Sequence, residues 1–372
     1  MKQTLLDRAF QLLDDVRSPQ DFTLILHFTK PPDAERLAAG AKSACECYHT
    51  AVRFESQNDI ERFANERPLS IPIKQTCDNN ILATRFHHTA ADGLSAALWL
   101  GHQLSVAQGL NPPGNSIPLS LRRQEASVRR SKFAYDGACD PLWTSNPTRS
   151  GFRRWISFSF ASTELQQACR RAGGFTYSDL LATCALETLR EWNRQHTQNG
   201  EPRVGLWLPM NIRRHSFAGF GNGTSRIRLY ARYPHCASLM EKAREVRRQV
   251  SWSTTHGEWV VPEIPLFTRV PAWIAAPLLR RYLNRPSIDM ATAVFSHADR
   301  WAGNAREAFD QVERIECVGL LHARQNIAMN GATHRGRTWM TFTYDTGLLR
   351  DSDAEVLAEM YQQQVEDFLC EQ

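Results

Sequence analysis

The chain has 372 residues, 42% hydrophobic and 22% charged, the ordinary composition of a soluble globular enzyme. That length exceeds what one hydrophobic core supports, so two subdomains are expected. The net charge of +5 comes with no Lys/Arg run of the nucleic-acid-tail kind and no zinc-finger or RNA-reading motif, which sets nucleic acid aside as a partner.

The opening segment places Leu5, Leu6, Ala9, Phe10, Leu13 and Val16 on one face of a helix. It lacks the uninterrupted apolar core of a signal peptide, and no stretch is long enough to span a bilayer. A cytoplasmic protein is expected. Nine cysteines, with only Cys45 and Cys47 close together, suit that compartment, and they match neither a disulfide framework nor a structural zinc site.

Residues 22–28 (FTLILHF) read as a strand, punctuated by Pro31-Pro32. A helix over 34–47 and a strand over 50–54 follow. Residues 81–86 (ILATRF) form a strand running into HHTAADG, and 94–107 a partly buried helix. Residues 109–150, rich in Pro, Asn, Gly and Ser, read as a linker or crossover with a short helix near 120–127.

The second half repeats the mixture. Residues 155–160 (WISFSF) are a strand, and Ser162 is expected to cap a helix ending at Gly173-Gly174. Thr176 and Asp179 form a capping box opening a helix over 177–196, whose Leu181, Cys184, Leu189 and Trp192 share a face. Strands are expected over 204–208 and over 225–232, where Ile227 and Leu229 alternate with Arg226 and Arg228. Leu239, Ala243, Val246 and Val250 mark another helix. Strands over 290–295, 325–332 and 338–344 precede a last helix starting near Asp351. The order predicts an α+β (mixed α/β sandwich) protein with halves at 1–150 and 151–372.

The chemistry centres on His87-His88-Thr89-Ala90-Ala91-Asp92-Gly93, between a strand and a helix. A neutral imidazole suits the removal of a proton from an attacking amine or hydroxyl. Asp92 is placed either to orient His88 or to hold the loop by pairing with a cation. Gly93, without a Cβ, lets the chain turn sharply into the helix and approach a ligand closely.

This spacing resembles the HHxxxDG signature of condensation domains, chloramphenicol-acetyltransferase-like enzymes and the wax-ester-synthase group. The resemblance implies that His88 is the catalytic base and that His87 packs beneath it. It makes Asp92 structural, paired with an arginine from the other half. Residues 48–53 (YHTAVR) resemble an early His-x-x-Leu-Arg segment. Residues 208–213 (LPMNIR) resemble Pro-Val-Asn-Leu-Arg, and 219–225 (GFGNGTS) the Gly-Asn stretch after it. On that match Arg213 is the expected partner of Asp92. The implied fold is two similar chloramphenicol-acetyltransferase-like subdomains in a V-shaped pseudo-dimer, a tunnel between them carrying donor and acceptor. The Asp-Phe-Gly-Trp-Gly motif of the plant acyltransferases is absent, which removes that branch.

Asn222 and Ser296 are weaker candidates, for lining the tunnel or donating to an oxyanion. Trp252, Trp259 and Trp301 are tunnel-lining candidates set against ordinary core packing. Ser296, His297 and Asp299 invite a Ser-His-Asp reading, rejected because neighbours on one strand end do not meet triad geometry. The expected activity is acyl transfer from an acyl-CoA or an acyl or peptidyl carrier protein to a small-molecule alcohol or amine. It calls for no metal and no cofactor beyond acyl-CoA or acyl-pantetheine as co-substrate, and a monomer would suffice. The alternatives are a free-standing peptide-type condensation enzyme restricted to carrier-bound substrates, and an inactive scaffold of the same fold.

Overall fold

The computed structural model describes residues 5–14, 19–55, 59–66, 69–113, 119–122, 131–197, 200–214, 219–259, 270–283, 285, 290–299, 303–322 and 324–371. The fold is mixed α/β, built on two sheets. The first contains β1 (Asp21–Phe28), β2 (Val52–Glu55), β3 (Ile73–Asp78), β4 (Ile81–His87) and β9 (Val312–Val318), in the order β2-β3-β4-β1-β9. The second contains β5 (Arg153–Ala161), β6 (Gly205–Asn211), β7 (Thr224–Tyr230), β8 (Ala293–Ala298), β10 (Ile327–His334) and β11 (Arg337–Asp345), in the order β5-β11-β10-β8-β6-β7.

Against the first sheet lie α2 (Ala34–Tyr48) and α4 (Gly93–Ala107). Alternate residues Phe22, Leu24, Leu26 and Phe28 of β1 join Leu37, Ala41, Leu100 and Leu104 in one core. The two helices approach closely at Gly40, where a Cβ would stand 2.2 Å from the Gln103 carbonyl oxygen. The second sheet is covered by α5 (Ser162–Ala172), α6 (Tyr177–His196), α7 (Leu239–Thr255) and α9 (Asp351–Cys370). Leu206, Leu229, Phe295, Met329 and Phe342 face Leu165, Leu181, Val246 and Leu357 there. A short α3 (Ile60–Ala64) completes the first half.

Residues 303–318 do not follow the division at 150. β9 pairs antiparallel with β1 in the first sheet, and Ala305, Ala308 and Phe309 of the 3-10 turn Gly303–Phe309 enter the first core. The second half therefore completes the first sheet. The opening helix α1 (Leu5–Leu13) also bridges the halves, against α8 (Ala272–Leu283), where Arg280 donates to the Asp14 carbonyl at 3.1 Å. Of the expected face, Ala9, Phe10 and Leu13 are half-buried and Leu12 beside them is fully buried, while Val16 lies outside the described residues.

Smaller differences have local causes. The capping box of α6 is formed by Thr176 and Asp179. Ser162 does not cap α5: it is the first helical residue, and its hydroxyl bonds Thr338 Oγ1 at 3.0 Å. Residues 120–122 are not helical, Leu121 forming an isolated bridge with Arg213, and the rest of that expected helix lies outside the described residues. No helix among the described residues is long and apolar enough to cross a membrane.

Candidate functional site

β4 delivers His87 and His88 to the end of the first sheet. The turn closes as the Ala90 N–H donates to the His87 carbonyl at 2.9 Å, and the His88 N–H donates to the Gln20 carbonyl at 3.0 Å. The His88 ring stacks on Phe10 (centroids 4.6 Å, 17° apart) and leans on Phe22 at 4.8 Å. Its Nδ1 is enclosed without a hydrogen-bond partner among the described residues, and Nε2 makes no hydrogen bond to any of them. Burial pushes the imidazole pKa down to about 4, the charges of Asp92 and Asp21 opposing that push and that of His87 adding to it. The ring is thus neutral at pH 7, and a basic lone pair on Nε2 requires the ring proton on Nδ1.

His87 packs inward. The Thr89 N–H donates to its Nδ1 at 3.1 Å, which leaves Nε2–H to face Asp14 Oδ2 at 3.2 Å. Asp14 follows α1, so the first histidine fastens that helix to the site loop.

Asp92 is the N-cap of α4, accepting from the Ser95 N–H at 2.9 Å. Arg213 donates to both its carboxylate oxygens, Nη2 to Oδ1 at 2.7 Å and Nη1 to Oδ2 at 2.8 Å. The Gly223 N–H (2.8 Å) and the Thr224 hydroxyl (2.7 Å) complete its shell. Burial alone would raise the Asp92 pKa, but the Arg213 charge and these hydrogen bonds hold it below the usual carboxylate range. Gly223 has to be glycine, because a Cβ there would come within 2.6 Å of the guanidinium carbon. Both side chains of the pair are fully buried, so the loop of the first half is bound to a strand end of the second.

Asn222 is nearby but engaged: its Nδ2 donates to the His88 carbonyl at 3.1 Å, which positions the loop and does not aim that donor at an oxyanion. Gly93 is less constrained than its turn suggests, since a Cβ there would meet nothing within 4 Å. Ser296 is half-buried on β8, on the opposite face from the helix-covered Phe295, and its hydroxyl makes no hydrogen bond among the described residues. His297 points the other way, to Ser178 (2.8 Å) and Thr333 (3.1 Å), and Asp299 accepts from Tyr177. No triad forms.

Trp252 packs on His256 and Phe133, and Trp259 donates to the Thr254 carbonyl, as in core or surface packing. Trp301 lies outside the described residues.

Residues the sequence reading passed over complete the surroundings. Asp21, fully buried, receives Arg85 Nη2 at 2.6 Å and Arg153 Nη2 at 2.8 Å. Elsewhere on the second sheet, Arg226 lies over the Trp207 ring and His322 meets that ring edge-on. Among the described residues no group of His, Cys, Asp and Glu is arranged to hold a metal ion.

No protein-family model and no curated protein sequence matches this chain. Solved structures do. The condensation domain of the monacolin K polyketide synthase MokA shares 12% identity at a TM-score of 0.67, over 99% of this chain and 96% of its own. The trichothecene 15-O-acetyltransferase TRI3 of Fusarium sporotrichioides shares 12% at 0.64, over 98% and 93%. The starter condensation domain of rhizomide synthetase RzmA, solved with C8-CoA, shares 12% at 0.63, over 97% and 92%. The chain has the fold common to condensation domains and these acyltransferases.

Proposed function

We propose that this protein is an acyltransferase that moves an acyl group from a CoA or carrier-protein thioester to an alcohol or amine, with His88 as general base. The observation that carries the reading is the His88 ring, held between Phe10 and Phe22 at a strand end with Nε2 making no hydrogen bond among the described residues; burial favours its neutral form. The acceptor hydroxyl or amine gives its proton to Nε2 as it attacks the thioester carbonyl. The tetrahedral intermediate collapses, the C–S bond breaks, and the imidazolium returns the proton to the leaving thiolate. No acyl-enzyme and no further cofactor enter this scheme. The Asp92–Arg213 pair holds the loop in register with the second half and takes no proton itself. A thioester is already activated, so positioning supplies much of the rate, and a base with so low a pKa supplies a modest share.

The test is thiol release from acyl-CoA and acyl-pantetheine donors with pooled alcohol and amine acceptors, wild type beside His88→Ala. Acceptor-dependent release that falls about 100-fold in the variant, the low end for a positioned base, is expected. Equal release from both proteins would refute His88 as base. Release only from carrier-bound donors would select the free-standing condensation reading, and none from any donor the scaffold.

A further inference from the structure

The main chain of the site loop does not fix the His88 ring. The His88 N–H is held by the Gln20 carbonyl at 3.0 Å. The two side-chain torsions remain, and the imidazole makes no hydrogen bond among the described residues. Packing orients it instead. Phe22 leans on the ring from β1, where it is buried in the first core and stacked on Phe86 at 5.6 Å. Phe10 covers the ring with centroids 4.6 Å and planes 17° apart. It comes from α1, outside the sheet, and is only half-buried.

Phe10 nevertheless has a fixed station, because the turn that carries it is tied to the loop. The Asp14 N–H donates to the Phe10 carbonyl at 3.0 Å. The Asp14 carboxylate accepts from the Gln20 N–H at 2.8 Å through Oδ1 and faces His87 Nε2 at 3.2 Å through Oδ2. One aspartate therefore joins Phe10 both to the residue whose carbonyl holds His88 and to the residue before His88. From the second half, Arg280 of α8 donates to the Asp14 carbonyl at 3.1 Å, and Arg8 of α1 to the Val270 carbonyl at 3.4 Å. Neither Phe10 nor Asp14 belongs to the HHTAADG motif.

We infer that Phe10 is a positioning residue for the acyl transfer: its ring sets the plane of the His88 imidazole, and so the direction in which Nε2 meets the acceptor, and Asp14 holds Phe10 there. The inference rests on the acyl-transfer reading above and adds to it a helix that the motif does not contain. Stacking acts here through shape. Without the Phe10 ring the imidazole turns about its second torsion, and a displacement of about 1 Å at a reacting group costs up to about 100-fold in rate. The same ring keeps water from one face of the imidazole. The charges that act on His88 come from Asp92 at the start of α4, Asp21 of β1 and His87 of β4, and His322 after β9 in turn feels the charge of His88. On the α1 side, Asp14 makes its hydrogen bond with His87 and not with the His88 ring. The helix therefore acts on His88 by enclosing it, and opening that enclosure lets the His88 pKa rise from about 4 toward the ordinary 6.5.

The experiment measures kcat and KM in wild type, Phe10→Ala, Phe10→Tyr and Asp14→Ala. Separately, the histidine ring signals of each protein are followed by NMR from about pH 7.5 to 5, the His88 signal being identified by its loss in His88→Ala. Phe10→Ala is expected to lower kcat about 10-fold with KM nearly unchanged. In that variant His88 titrates within the window, whereas in the wild type it stays neutral throughout. Phe10→Tyr keeps the flat face and retains both wild-type readouts, and Asp14→Ala moves both in the direction of Phe10→Ala. In a His88→Ala background, Phe10→Ala changes the residual kcat by less than about two-fold, since its effect passes through the imidazole. A kcat drop of the same size in that background, a His88 signal that stays neutral in Phe10→Ala, or a Phe10→Tyr variant as impaired as Phe10→Ala overturns the assignment. The titration needs no turnover. If it responds to Phe10→Ala while no donor is consumed, the station of the ring is upheld and the acyl-transfer reading alone fails.

Discussion

Replacing Asp92 by Asn tests how the site is held. The carboxylate accepts from Ser95 N, both Arg213 nitrogens, Gly223 N and the Thr224 hydroxyl. An amide keeps one oxygen acceptor but turns an NH2 toward groups that are all donors, leaving the buried Arg213 without a counter-charge. Removing one partner of such a pair costs about 3–5 kcal/mol. In a chain of this size that lowers the thermal midpoint by about 4–6 °C. The double variant Asp92→Leu/Arg213→Met removes both charges and recovers part of the loss, the donors of Ser95, Gly223 and Thr224 staying unpaired. Thermal denaturation at pH 7 of the wild type, Asp92→Asn, Arg213→Met and the Leu/Met double reads this directly. A midpoint within about 2 °C of wild type for Asp92→Asn, or a double variant as unstable as the summed singles, would show that the pair does not carry the connection between the halves.

Two other predictions follow from packing and charge. His88, His297 and His322 have pKa values lowered to about 4, about 4 and about 3, burial being the main cause in each. The unfolded chain therefore binds more protons than the folded one between about pH 6.5 and 4, and stability falls as pH drops through that window. Asp92 and Asp21, held low by their arginines against the cost of burial, add a further loss below about pH 3.8. A thermal midpoint that stays flat from pH 7 to 4.5 would contradict the first part. Gly40→Ala places its Cβ 2.2 Å from the Gln103 carbonyl oxygen. The crowding costs about 1–3 kcal/mol, more than the gain of up to about 1 kcal/mol in helix propensity, and an unchanged midpoint would mean that α2 and α4 can separate freely.

The sequence made legible the elements whose signal is apolar periodicity or a local cap. β1, α2, α4 and α6 appear within a residue or two of their expected bounds, since continuous apolar runs and the Thr176–Asp179 box are local features. β3 and β9 were invisible for a physical reason: their polar residues are satisfied across the fold. In β9, Glu316 is buried against His27 and receives the Trp155 indole N–H at 3.1 Å. In β3, buried Gln75 donates to Thr84 and exchanges hydrogen bonds with Gln103, while Lys74 reaches Glu55 and Glu66. Of these partners, Gln103, His27 and Trp155 lie far away in sequence. The alternation in β7 correctly separated Arg226 from Ile227, yet periodicity is silent about what an outward residue faces, so Trp207 and His322 could not have been read beside it.

The same non-local logic explains how His88 is fixed. Its strand end is held from two sides by buried charges that belong to different halves of the chain. On one side Asp92 meets Arg213. On the other, Asp21 of β1 binds Arg85 of β4 and Arg153 of β5, the arginines also donating to the carbonyls of Phe63 and Ala64. Gln20, whose carbonyl holds the His88 N–H, is the residue before Asp21. A buried ion cluster contributes little net stability compared with apolar packing, but it tolerates only one geometry, because each displaced donor leaves an unpaired charge. Two such clusters flanking a single histidine trade stability for position. The trade suits the acyl transfer proposed above, in which positioning would supply much of the rate.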